Sequence, residues 1–143
     1  MTLLLLRHGT AGHRAPGDDD DHLRPLDERG RRQAEAYREL YAGYGVERVL
    51  TSPYVRCRQS VEPLAEALGL PVEERAELAE GVTRAEPWAL VAELEGTTAV
   101  LCSHGDILDM LLGEEPPKGS TWVVEPDRGG GLLRRLRFLP PPA

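Results

Sequence analysis

A three-layer α/β/α domain on a mostly parallel sheet is the fold class this sequence predicts, and three observations predict it. The runs Leu3–Leu6 and Ala99–Cys102 are apolar without alternation, as in strands covered on both faces. Such runs alternate along the chain with segments of helical period, the signature of a layered α/β architecture. The 143 residues suit one domain, and a chain of about 150 residues buries roughly 68–70% of its unfolded surface, enough for a core without staples.

Taken in order, Thr2–Arg7 reads as the first strand and His8 to Pro25 as a polar loop rich in Gly and Asp. Asp27 suits the N-cap of a helix, because its carboxylate can accept from a free N–H of the first turn. Gly30, Ala34, Tyr37, Tyr41 and Tyr44 then form one stripe at steps of three and four, and Gly43 or Gly45 can end it. Glu47–Thr51 is a second strand. Ser52-Pro53 has the form of an N-cap followed by proline at the first helical position. That helix is expected to reach Leu68, with Cys57, Val61, Leu64, Ala65 and Leu68 inward and Gly69 as its stop. Pro63 is expected to kink or interrupt it, since its ring clashes with the preceding turn. Pro71–Glu74 reads as a short edge strand, Glu86 to Leu94 as a helix, Thr97–Ser103 as a buried strand and Asp106–Leu112 as a short helix. Thr121–Glu125 and Leu132–Phe138 read as two strands joined by the turn Pro126–Gly131.

Composition narrows the function classes. Hydrophobic residues are 41% and charged residues 29% of the chain, ordinary values for a globular domain. The net charge of −7 argues against nucleic acid or an anionic membrane as partner. The four-leucine run ends at Arg7, too short for a signal peptide or membrane helix, so the expected location is cytoplasmic. Cys57 and Cys102 stand far apart in sequence, outside metal-ligand spacing, and read as reduced thiols. Only one of the 17 basic residues is lysine, and there is no asparagine, a bias shared by GC-rich genomes and thermophiles. No feature of the sequence points to an oligomeric state.

Three strands run into unusual residues: Arg7-His8-Gly9, Thr51-Ser52-Pro53 with Arg56 just beyond, and Ser103-His104-Gly105. In an open α/β sheet, ligands sit beyond the carboxyl ends of the strands. The topology therefore gathers two arginines and two histidines that are spread over most of the chain. Arginine offers a planar fork of donors matched to phosphate oxygens, and Arg56 falls in the opening turns of a helix, where free N–H groups favour an anion. The group suits a compact dianion.

Arg7-His8-Gly9, Thr51-Ser52-Pro53 with Arg56, Gln59 and Ser60, and Ser103-His104-Gly105, in this order, resemble the histidine phosphatase superfamily with its phosphoglycerate-mutase-like fold. The segment Arg24-Pro25-Leu26 with Gly30, Gln33 and Ala34 is similar to its compact branch, which includes bacterial phosphohistidine phosphatases, and to phosphatase domains fused to Nudix hydrolases. The resemblance covers nearly the whole chain and implies one phosphatase domain over residues 1–143. It implies that His8 attacks phosphorus and becomes phosphohistidine, with no metal and no cofactor. It implies that Arg7, Arg56, His104 and Gly105 hold the phosphoryl group, His104 as a cation. It also implies a glutamate acid in a Leu-x-Glu setting, which Leu78-Ala79-Glu80 matches, so Glu80 is the first choice, Glu77 the second and Asp106 a further candidate. The implied partner is a phosphorylated small molecule or phosphoprotein: protein phosphohistidine, a sugar or glycerate phosphate, and a nucleotide all fit.

Two other readings accompany this one. A non-catalytic phosphate- or phosphoprotein-binding module would have no use for an intact His8. A phosphoglycerate mutase would require insertions closing over a bisphosphate, for which this length leaves little room. Elsewhere, Ser52 is expected to cap backbone, Thr10 and Ser103 to cap or line the pocket, and His13 and Arg14 to be solvent-exposed. The run Asp18–Asp21 reads as a solvated loop. Arg128, Arg134, Arg135 and Arg137 read as an exposed hairpin face, and Trp88 and Trp122 as packing residues.

Overall fold

The computed structural model describes residues 1–14, 17, 19–127 and 131–143. The strands are β1 (Leu3–Arg7), β2 (Arg48–Thr51), β3 (Val72–Glu74), β4 (Ala99–Ser103), β5 (Thr121–Pro126) and β6 (Leu133–Leu139). The helices are α1 (Glu28–Leu40), α2 (Val55–Leu68), α3 (Ala85–Glu93) and α4 (Gly105–Leu112), with short 3-10 turns at Asp21–Leu23 and Ala76–Leu78. The sheet order is β3-β2-β4-β1-β5-β6. β1, β2, β3 and β4 pair in parallel, whereas β5 runs antiparallel to β1 and β6 antiparallel to β5.

The unbroken apolar runs explain the layers. Alternate residues of a strand face opposite sides, so Leu3 and Leu5 join Leu90, Leu94, Leu108 and Leu111 in one core beneath α3 and α4. Leu4 and Leu6 join Tyr37, Val61 and Leu64 in the other, beneath α1 and α2. All four leucines are fully buried. In the parallel register Arg7 stands opposite Ser103, and Thr51 opposite Cys102. The strand ends are therefore level, and His8, Ser52 and His104 follow at one edge of the sheet.

Several local expectations are corrected. α1 ends at Leu40 with Tyr41 as its C-cap, so Tyr44 falls beyond the helix and is only partly buried. α2 begins at Val55 with Tyr54 as N-cap, so Pro53 lies before the helix; Ser52 does cap backbone, accepting from Tyr54 N at 3.2 Å, and its hydroxyl also meets His104. α2 runs through Pro63 unbroken; the proline lies on a partly exposed flank, where the carbonyl it deprives of an N–H partner is not locked in the core. Leu68, the last residue of that helix, is 43% exposed, and Leu70 packs on the core instead. Gly69 does stop α2, in the left-handed conformation at φ 67°. Part of the turn before β6, including Arg128, lies outside the described residues.

The loop after β1 is clamped to α1. Asp27 caps α1 by accepting from Gly30 N at 2.8 Å, and also accepts from Thr10 Oγ1 and Gly12 N. Gln33 accepts from Thr10 N at 3.1 Å. The loop can lie this close only because position 30 lacks a side chain: a Cβ there would sit 2.1 Å from the Thr10 carbonyl oxygen. Gly30→Ala should therefore cost about 1–3 kcal/mol of unfolding free energy, the range for overpacking against rigid neighbours. An unchanged urea midpoint would show that the contact is not rigid.

Candidate active site

Five segments build the site. The level ends of β1 and β4 supply His8 and His104, whose ring centroids are 5.5 Å apart. The second residue of α2 supplies Arg56, the 3-10 turn Asp21–Leu23 supplies Asp21, and the segment after Ala76–Leu78 supplies Glu80. His8, Arg56 and His104 are all buried.

His8 is held in one tautomer by two contacts. Its Nδ1 lies 2.7 Å from the Gly9 carbonyl oxygen, which only accepts, so Nδ1 carries the proton. Its Nε2 lies 3.3 Å from Arg56 Nε, which only donates, so Nε2 carries the lone pair. Burial, reinforced by the positive charges of His104, Arg56 and Arg7, pushes His8 down to about 3, against the Gly9 hydrogen bond. The ring is neutral and nucleophilic at any physiological pH.

His104 has the opposite character. Its Nε2 lies 2.8 Å from Ser52 Oγ and 3.5 Å from Cys57 Sγ, while Nδ1 faces Glu80 Oε1 at 3.2 Å. Burial works to lower its pKa, but the hydrogen bonds to Cys57 and to the Glu80 carboxylate outweigh it and raise it to about 9. His104 is thus a buried cation beside a neutral imidazole. Arg56 completes the wall: Nη1 donates to the Asp21 carbonyl at 2.9 Å, and Nη2 reaches Asp21 Oδ2 at 3.1 Å and Glu80 Oε1 at 2.9 Å.

Glu80 lies where the sequence expects an acid, but in this state it is firmly ionised. The hydrogen bond from His104 leads, and Arg14 and Arg56 add to it, holding the carboxyl far below its usual range despite partial burial. One oxygen, Oε1, is shared by Arg56 and His104, so it occupies a position suited to an oxygen of a bound oxyanion. Glu77 is drawn away to Arg75, at 2.6 Å. Asp106, in the first turn of α4, accepts from Gly81 N at 3.3 Å. Gly105 is the first residue of α4, and the Glu115 side chain runs across it.

One expectation about loop residues is overturned. Asp21 is buried rather than solvated, because it gathers Arg14, Arg24 and Arg56. Burial works to raise it, and these cations hold it at about 2. Asp18, from the same run, lies outside the described residues. His13 and Arg14 are exposed as expected, and Arg14 also bridges Asp21 at 2.9 Å and Glu80 at 2.6 Å. Glu115 went unread in the sequence although it pairs with Arg7 at 3.2 Å; nothing in its local pattern distinguishes it from Glu114. Arg134 pairs with Glu125, and Arg135 with Glu114 while lying 4.8 Å over the Trp122 ring, so the hairpin face is laced internally. Among the described residues, no helix is long and apolar enough to cross a membrane.

Fold and site together set a neutral and a charged imidazole side by side at the carboxyl ends of a parallel sheet, with Arg56 beside them. Comparison with known proteins agrees. Residues 3–89 match the family model of the histidine phosphatase superfamily, branch 1. The chain is 34% identical over 158 residues to an 8-oxo-(d)GTP phosphatase of Mycolicibacterium smegmatis, aligning 99% of this chain with 48% of that protein. It is 31% identical over 138 residues to the phosphohistidine phosphatase SixA of Escherichia coli, aligning 87% of this chain with 83% of that one. The solved structure of the protein histidine phosphatase SixA complexed with tungstate superposes with a TM-score of 0.77 at 28% identity, over 97% of this chain and 96% of the other. The chain belongs to the histidine phosphatase superfamily and is an enzyme of that class. It spans about half the length of the mycobacterial relative.

The two histidines make opposite contributions to stability. From 6.5 up to about 9 the folded protein keeps a proton on His104 that an unfolded chain releases, so stability falls as pH rises through that window. From 6.5 down to about 3 the unfolded chain protonates its His8 and the folded one does not, so stability falls as pH drops. NMR titration should place one imidazole near each limit. Glu80→Gln should lower the His104 value, and no movement would exclude the carboxylate as its support.

Proposed function

We propose that residues 1–143 form one histidine phosphatase domain that hydrolyses phosphomonoesters or protein phosphohistidine through a phosphohistidine on His8, without metal or cofactor. The observation that carries this reading is the forced tautomer: Gly9 takes the Nδ1 proton, and Nε2 presents its lone pair beside Arg56.

The phosphoryl group enters where Glu80 Oε1 now stands, and its oxygens take over the donors of Arg56 and His104, with Arg7 adding charge from β1. These groups neutralise the charge that spreads over the equatorial oxygens in transfer. The His8 Nε2 lone pair forms the N–P bond as the bond from phosphorus to the leaving atom breaks. Glu80, separated from its cations and next to a dianion, rises into the range of a protonated acid and gives its proton to the leaving atom. Water then attacks phosphorus, Glu80 takes its proton, and the N–P bond breaks to release phosphate and restore His8.

The substrate carries a phosphoryl group. The two relatives, a phosphohistidine phosphatase and an 8-oxo-(d)GTP phosphatase, leave a protein-borne and a small-molecule phosphate both open. We infer that the substrate phosphate is protein-borne, since the chain aligns with 83% of the phosphohistidine phosphatase but only 48% of the nucleotide phosphatase. A panel of phosphohistidine protein, sugar phosphates and nucleotides would rank them, and preference for a sugar phosphate or nucleotide by more than tenfold in kcat/KM would reject that inference.

His8→Ala should abolish hydrolysis of an aryl phosphate measured without added metal; a variant retaining a tenth of the activity would remove the covalent mechanism. Glu80→Gln should slow alkyl monoesters by about 10²–10⁴, the usual contribution of a positioned acid, and slow p-nitrophenyl phosphate far less, because nitrophenolate needs no proton to leave. Equal slowing of both would reassign the acid.

A further inference from the structure

The guanidinium of Arg7 is divided between two partners. Nη1 donates to the Pro116 carbonyl at 2.7 Å, Nη2 pairs with Glu115 at 3.2 Å, and the buried Nε has no partner among the described residues. The segment between α4 and β5 that carries Glu115 is also fixed to the backbone of the two site residues. Gly119 N donates to the carbonyls of Arg7 and His8 at 3.0 and 2.9 Å, and Arg7 N donates to Ser120 O at 3.0 Å. Glu115 is thus placed relative to His8 by main-chain contacts.

Its side chain occupies a slot that exists because position 105 is glycine. A Cβ on Gly105 would lie 2.1 Å from Glu115 Oε1 and 2.6 Å from its Cδ. The carboxylate therefore stands beside the residue that follows His104, and it remains 57% exposed. Glu80, on the other wall, is held by three cations and is only 26% exposed. The two carboxylates differ in what they can do. Glu80 occupies the donors a phosphoryl group needs, whereas Glu115 takes one edge of Arg7 and faces solvent at the mouth.

We propose that Glu115 is a specificity-determining residue. It disfavours substrates with a second anionic group next to the scissile phosphoryl, and favours leaving groups that are neutral or carry N–H donors. The scissile phosphoryl is compensated by Arg56, His104 and Arg7, but a neighbouring carboxylate or phosphate at the mouth meets a fixed negative charge instead. Placing like charges side by side costs affinity, and a donor in the same place gains a charge-assisted hydrogen bond. This inference rests on the phosphatase reading above and adds the class of leaving group to it.

The test compares kcat/KM for p-nitrophenyl phosphate, 3-phosphoglycerate and phosphoramidate at low ionic strength in the wild type, Glu115→Gln and Glu115→Lys. Glu115→Gln should raise 3-phosphoglycerate about fivefold relative to p-nitrophenyl phosphate, the size of one solvent-exposed like-charge contact at about 4 Å, and Glu115→Lys should raise it further. Phosphoramidate should fall relative to p-nitrophenyl phosphate in both. Ratios unchanged within twofold would overturn the assignment. If the wild type turns over none of the three, the phosphatase reading fails by itself. Calorimetric binding of 3-phosphoglycerate against inorganic phosphate then decides on Glu115: selective tightening of 3-phosphoglycerate in Glu115→Gln supports the role, and parallel affinities reject it.

Discussion

A guanidinium removed from water must have its donors matched, because an unpaired buried charge costs several kcal/mol. Arg56 is 1% exposed, and the way it is matched organises the site. Its Nε faces His8, its Nη1 binds the Asp21 carbonyl, and its Nη2 touches Asp21 and Glu80. One side chain thereby joins β1, the Asp21–Leu23 turn, α2 and the segment after Leu78. Asp21 in turn gathers Arg14 and Arg24, and Arg24 reaches back to the Ala11 carbonyl in the loop that follows His8. Ala11, Arg14, Asp21 and Arg24 are thus tied to one another and to Arg56 by this chain of charges.

The same constraint explains why the site is balanced before any ligand arrives. Arg56 and His104 converge on Glu80, and Arg7 on Glu115, so both walls of a basic crevice carry their own carboxylate. In the proposed reaction an incoming phosphoryl group exchanges one anion for another at Arg56 and His104, which avoids stripping bare cations of water and lowers the desolvation cost of binding.

Much of this was legible in the sequence, for identifiable reasons. Leu3–Leu6 could only be a strand covered on both faces, and the ends of such strands locate a site without further information. Asp27, Gly30 and Gln33 were visible as parts of a pattern, and the structure gives their work: they hold the loop at Thr10. What stayed hidden depended on contacts distant in sequence. Asp21 looked like its neighbours in an acidic run until the fold placed Arg56, thirty-five positions later, against it. Glu115 could not be told from Glu114 because its role follows from the Gly105 slot. Ser52-Pro53 has the form of a helix start, yet the hydroxyl accepts from Tyr54 N at 3.2 Å and meets His104 instead.

That serine contact has a consequence for the chemistry available to His104. In hydrolases with a serine nucleophile, the partner behind the imidazole is a carboxylate, which stabilises the ring as it gains a proton and lets it shuttle. Here the inner nitrogen meets the Ser52 hydroxyl and, at 3.5 Å, the Cys57 sulfur, while the carboxylate partner, Glu80, lies at the other nitrogen, beside Arg56. The imidazolium is therefore supported from both sides, by Cys57 behind it and by Glu80 in front. In the proposed reaction His104 stays a cation beside the phosphoryl group, and proton transfer falls to Glu80.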